Sequence, residues 1–202
     1  MPTQLKNRFL IGTNNLVPLV SVCCVTYNHE KFIRDCLDGF IRQQTNFPFE
    51  VLIHEDASTD STADIVREYE ERYPQLFRCV YQTENQFLKQ NVLLNILFKM
   101  AKGRYIALCE GDDFWIDPAK LQKQVDILRS DLDCILTFHN TLDVTTEESK
   151  PKYSQGLKDR FYIQDFVHFF YARTVSMLFR NPERGLPIQF QYMRVADWPI
   201  AI

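Results

Sequence analysis

Glu110, Asp112 and Asp113 close the stretch 104–115, RYIALCEGDDFW, in which Tyr105, Ile106, Ala107, Leu108 and Cys109 read as a buried strand. Three carboxylates crowded at the end of an apolar strand repel one another. They become favourable when a divalent cation and a bound polar ligand share their charge. A water-solvated acidic turn is the alternative reading. Two other apolar runs end in the same way. PLVSVCCVT runs into Thr26, Tyr27 and Asn28, and FEVLIH runs into Glu55, Asp56 and the sequence ASTD. A carboxylate beside a nucleotide accepts hydrogen bonds from base N–H groups or ribose hydroxyls. Another can hold Mg2+ or Mn2+ against a diphosphate and stabilise it as a leaving group.

These groups need a scaffold that gathers them. Residues 18–26 form a continuous apolar run, as expected of a strand covered on both faces. In 30–44, Phe32, Ile33, Cys36, Leu37, Phe40 and Ile41 make one helical stripe. Residues 49–54 and 77–81 read as strands. Between them Ser61 and Asp64 are placed to cap a helix whose inner face is Ile65, Val66, Tyr69 and Tyr73. Residues 92–101 read as a helix closed by Gly103. Asp117 and Pro118 suit the N-cap and first position of another, with Leu121, Val125 and Leu128 on one face. Residues 134–138 and 174–179 read as strands, 162–171 as helical, and 139–160 as a long polar loop. The expected fold is α/β, with a mostly parallel central sheet flanked by helices. Ligands bind beyond the carboxyl ends of strands in such sheets, and all three polar groups fall there. Residues 1–16 read as a polar lead-in, and 17–202 as one domain.

Composition narrows the function. At 202 residues, 46% hydrophobic and 24% charged, the chain has the profile of an ordinary globular domain. A net charge of -3 gives no electrostatic case for nucleic acid as partner. Cys23, Cys24, Cys36, Cys79, Cys109 and Cys134 lie mostly in apolar segments without zinc-site spacing, and read as reduced core residues of a cytoplasmic protein. No secretory signal is evident, and the longest apolar run is too short to cross a bilayer. A peripheral association with the inner face of a membrane remains compatible with the sequence. The absence of GxGxxG, GxxxxGK[ST] and GxSxG argues against dinucleotide dehydrogenases, P-loop NTPases and serine hydrolases.

VSVCCVTYNHEKFIRDCLDGFIRQQ, EVLIHEDASTDST and GRYIALCEGDDFWIDPAKLQKQVDIL together resemble the N-terminal part of a family 2 glycosyltransferase. The resemblance is strong over 17–135 and weak beyond. It implies the GT-A fold, a nucleotide-sugar donor, usually a UDP-sugar, and inverting transfer to an acceptor hydroxyl in cell-surface polysaccharide biosynthesis. The acceptor would be a saccharide or a lipid-linked saccharide. By the same resemblance Thr26, Tyr27 and Asn28 line the nucleotide pocket, with Tyr27 near the base. Asp56 binds the base edge and Glu55 is its neighbour. Glu110 and Asp112 stand where the family has its DxD pair. Glu110 faces the ribose or donor sugar, Asp112 takes Mg2+ or Mn2+ and reaches the diphosphate, and Asp113 supports them. Glutamate for the first aspartate is a departure from the pattern.

The family's base commonly lies in an acidic pair followed by Trp. Ala196-Asp197-Trp198 fits with the first acid replaced, which makes Asp197 the expected base. The chain stops five residues later, so the acceptor side is expected to be truncated. Two alternatives are a non-catalytic nucleotide-sugar binding module and a sugar-phosphate nucleotidyltransferase. The second would carry a Gly-rich basic loop after the first strand, where Thr26, Tyr27 and Asn28 stand. His29, His54, His139 and His168 lack metal-ligand spacing and read as structural or surface residues. Trp115 reads as a packing anchor, and Lys89 and Arg104 as cations within possible reach of phosphate.

Overall fold

The computed structural model describes residues 17–87, 89, 92–144, 149–152, 160, 162 and 172–181. Four apolar segments form the parallel heart of a sheet: β1 (Val20–Thr26), β2 (Phe49–Glu55), β3 (Phe77–Tyr81) and β4 (Tyr105–Glu110). Helices α1 (Ile33–Ile41) and α2 (Thr62–Arg72) make the first two crossovers. The third contains a π-helical turn, Leu93–Leu97, that runs into a short helix α3 (Phe98–Met100). After β4 come α4 (Lys120–Ser130), β5 (Leu136–Thr137), a hairpin of β6 (Thr141–Val144) with β7 (Ser149–Lys152), a 3-10 turn Thr174–Ser176, and β8 (Leu178–Arg180). The main sheet has the order β3-β2-β1-β4-β8-β5, with β8 antiparallel to both neighbours. It is the expected α/β sheet, mostly parallel.

Alternation along the strands divides the core. Val20, Val22, Cys24, Val51, Ile53, Tyr105, Ala107 and Cys109 face α1, α2 and α4. Cys23, Leu52, Ile106 and Leu108 face Leu97, Ala172 and Met177 on the other side. Cys23 and Cys24 thus point to opposite faces, as two adjacent strand residues must. All six cysteines are free thiols.

Several local expectations shift. Ser61 makes no side-chain cap; Asp60 Oδ1 accepts the Thr62 N–H instead, at 2.9 Å. Asp117 Oδ1 accepts the Ala119 N–H at 2.9 Å, and the helix proper starts at Lys120. The strand expected over 134–138 contracts to Leu136–Thr137. That over 174–179 begins as a 3-10 turn because the Ser176 and Met177 N–H groups bond back to Arg173 and Thr174. The expected 139–160 loop contains the β6–β7 hairpin. The helix expected over 162–171, the base candidate Asp197 and the lead-in 1–16 lie outside the described residues, apart from Tyr162.

Candidate functional site

β1 lies between β2 and β4, with Thr26 beside Glu55 and Val25 beside Glu110. The ends of β2 and β4 are therefore two strand spacings apart, about 10 Å. Thr26, Glu55, Asp56, Glu110, Asp112 and Asp113 come together on this carboxyl rim.

On the β2 side the acids are buried and organised. The Asp56 N–H donates to Thr26 O at 3.0 Å, extending the β1–β2 ladder past the strand end. Asp56 Oδ1 accepts the Gln86 N–H at 2.7 Å, which ties the loop after β3 to this carboxylate. Glu55 Oε1 accepts the Ser58 N–H at 2.8 Å across Ala57, a residue held at φ 60°. Left-handed backbone is costly for a residue with a Cβ, so this turn is held by its contacts. Asn28, at φ 55°, fastens the β1–α1 loop to it. Its N–H donates to Ser58 Oγ at 3.0 Å and its Oδ1 accepts the Thr59 N–H at 2.8 Å. Asn28 acts here through its bonds to the neighbouring loop. Tyr27 stands beside it, 40% exposed.

The β4 side is open. Gly111 turns the chain hard against β1: a Cβ there would stand 2.4 Å from Thr26 Oγ1 and 2.9 Å from His29 Nδ1. Only glycine lets the acidic turn come this close. Glu110, Asp112 and Asp113 each offer a carboxylate oxygen within 4.8 Å of the others. Glu110 and Asp112 are exposed and Asp113 is partly buried. Burial, then the Asp112 charge, pushes the Asp113 carboxyl above the usual range; Arg173 and His29 pull it back. Three hard oxygen donors gathered this closely fit a divalent cation such as Mg2+ or Mn2+.

The turn carrying these acids is anchored from behind. Trp115 is buried, meets Phe40 edge-on at 4.8 Å, and donates its Nε1–H to Val175 O at 3.0 Å. Lys120 lies over its ring at 4.1 Å and bonds to Gln124 Oε1 at 2.8 Å. Gln124 Nε2 in turn donates to Ser176 O at 2.8 Å. Trp115 is a packing anchor, as expected. Lys120 and Gln124 were not legible as core residues, because both flank the apolar stripe of α4.

The two other expected cations do not reach the rim as free charges. Lys89 pairs with Glu84 at 2.5 Å. Arg104 precedes β4 at the end opposite Glu110 and packs toward the Tyr105 ring. His29, read from sequence as structural or surface, stands at the site: Nδ1 is 3.3 Å from Thr26 Oγ1 and Nε2 is 3.9 Å from Asp112 Oδ2. Its place directly after Asn28 on the same rim was the available signal.

Residues 21–185 match the family model described as glycosyl transferase family 2. An uncharacterized protein of Mycobacterium tuberculosis is 47% identical over 120 residues, which are 59% of this chain and 34% of that protein. The putative teichuronic acid biosynthesis glycosyltransferase TuaG of Bacillus subtilis is 34% identical over 124 residues, covering 61% of this chain and 47% of TuaG. Among solved structures, the mannosyltransferase PcManGT from Pyrobaculum calidifontis, in complex with GDP-Man and Mn2+, superposes with a TM-score of 0.60 at 22% identity, over 84% of this chain and 48% of that one. The chain thus spans about a third to a half of the length of these relatives. No helix among the described residues is long and apolar enough to cross a membrane.

Proposed function

The chain belongs to glycosyl transferase family 2 and has the GT-A fold, and from that premise we propose that its acidic rim binds a nucleotide-sugar donor, a UDP-sugar, for inverting transfer to an acceptor hydroxyl. The observation that carries this reading is the pairing of a buried, organised carboxylate at the end of β2 with an open acidic cluster at the end of β4, across a single strand. A nucleoside diphosphate has a neutral hydrogen-bonding head and an anionic tail, and the two sides of the rim match those two chemistries.

Asp56 keeps Oδ1 on the Gln86 N–H, which fixes the carboxylate plane and leaves Oδ2 to accept a base N–H. Tyr27 offers its exposed ring to the base face. Glu110 faces the ribose or donor sugar. Glu110, Asp112 and Asp113 would hold Mg2+ or Mn2+, with Asp112 as the principal ligand. The cation would neutralise charge that develops on the departing diphosphate. The acceptor oxygen forms its bond to the anomeric carbon as the bond from that carbon to the diphosphate oxygen breaks, and Asp197 takes the acceptor's proton. The presence of TuaG among the relatives supports a role in cell-surface polysaccharide synthesis, with a saccharide or lipid-linked saccharide as acceptor.

Transfer and hydrolysis assays on UDP- and GDP-sugars, each with Mn2+, Mg2+ or EDTA, test the reading. Metal-dependent release of the nucleoside diphosphate from one donor is expected. Asp197→Asn should leave donor affinity within about twofold and lower transfer by at least the 10²–10⁴-fold of general-base catalysis. Wild-type transfer by that variant would contradict the base assignment. Binding without turnover of any donor would favour a non-catalytic module.

A further inference from the structure

His29 is held through both its backbone and its ring. Its backbone N–H donates to Thr62 Oγ1 at 2.8 Å. Its carbonyl accepts the Phe32 and Ile33 N–H groups, both at 2.9 Å, and so starts α1. Its Nδ1 lies 3.3 Å from Thr26 Oγ1, and Gly111 fills the space beside both. The remaining ring nitrogen, Nε2, faces Asp112 Oδ2 at 3.9 Å, within ion-pair range and one small side-chain adjustment from a hydrogen bond.

These contacts favour one tautomer. A carboxylate accepts only, so the ring nitrogen that faces it, Nε2, is favoured to carry the hydrogen; in the neutral ring Nδ1 is then the acceptor, and the Thr26 hydroxyl can donate to it. We propose that His29 is a positioning residue for Asp112: held by Thr26, it directs Nε2–H to one carboxylate oxygen and so turns the other toward a bound divalent cation. Ligating carboxylates are commonly oriented in this way by hydrogen-bond donors outside the ligand set. The proposal rests on the reading that the Glu110–Asp112–Asp113 cluster holds a cation. It adds a link between the two halves of the rim, because the same Thr26 accepts the Asp56 N–H through its backbone oxygen.

Titration of the 202-residue chain with Mn2+, read as loss of the free-ion electron paramagnetic resonance signal, tests the link without reference to turnover. Outer-shell partners of this kind typically change metal affinity 10–100-fold. His29→Ala and His29→Phe should weaken Mn2+ binding by about that factor, and Thr26→Val in the same direction by less. His29→Gln, whose amide N–H replaces Nε2–H, should recover affinity to within about threefold of wild type. Phe keeps the ring packing, so it delivers the result even if the alanine variant folds poorly; melting midpoints identify that case. If both His29→Ala and His29→Phe bind Mn2+ within twofold of wild type while Asp112→Asn does not, the positioning role falls and the metal site stands. If Asp112→Asn also binds as wild type, or the wild type binds no Mn2+, the metal reading falls and this proposal with it.

Discussion

Lys120 is a charged residue in surroundings that oppose its charge. Its ammonium is buried behind the acidic turn with one amide oxygen and one indole face for company. Desolvation lowers its pKa to about 7, with Cys109 acting weakly in the opposite sense. Above that pH the folded chain has released a proton that the unfolded chain keeps up to the ordinary lysine range. Stability contributed by this residue therefore rises with pH from about 7 to about 10. Lys120→Met, of similar length and uncharged, should stabilise the fold most below pH 7, by on the order of a few kcal/mol, with the gain shrinking as pH rises. Thermal melts at pH 6 and pH 9 check this; an equal gain at both would show that the ammonium is not penalised by its burial. Nothing in α4 announced Lys120 from sequence, because position 120 directly precedes the apolar stripe of Leu121, Val125 and Leu128. Burial of its side chain depends on Trp115, which arrives from another segment.

The same division between local and non-local information holds for the elements. β1, β2 and β4 were legible because a strand covered on both faces is apolar at consecutive positions, as 22–25, 51–53 and 105–109 are. α1 was legible because its stripe follows the helical period. The π-helical turn in 93–97 was not, since LLNIL satisfies any helical period equally well. The β6–β7 hairpin was missed because four-residue strands with Pro151 in one of them read as loop; in a two-stranded ribbon a proline can sit where no ladder bond is needed. The rim was legible at the level of residue types, since each acidic or polar group follows directly on an apolar run. The contact of His29 with Asp112 was not, because it depends on how closely Gly111 lets two strand ends approach. Attachment of the 174–176 turn to the acidic turn, through the Trp115 N–H on Val175 O, is likewise a tertiary fact. Trp115→Phe should keep the edge contact with Phe40 and lose that bond, at a cost of about 1 kcal/mol. Trp115→Ala should cost about 3–5 kcal/mol by leaving a cavity. Urea unfolding distinguishes the two; equal losses would mean that the ring packing contributes little beside the hydrogen bond.

For the molecule as a whole, the central claim is that the ends of β2 and β4 act on one ligand, with β1 as the spacer between them. A ligand that binds only the folded chain raises its stability, by about 2.7 kcal/mol at a hundredfold excess over its dissociation constant. UDP with Mn2+ should therefore raise the melting midpoint by more than the sum of the separate shifts, because each completes the site for the other. Calorimetric titration of UDP in the presence and absence of Mn2+ measures that coupling directly, on the wild type, Asp56→Ala and Asp112→Asn. The account predicts that Mn2+ tightens UDP binding at least tenfold in the wild type, that Asp112→Asn abolishes the tightening, and that Asp56→Ala weakens UDP with and without the metal. UDP affinity that is indifferent to Mn2+ in the wild type, or unchanged by both substitutions, would contradict it.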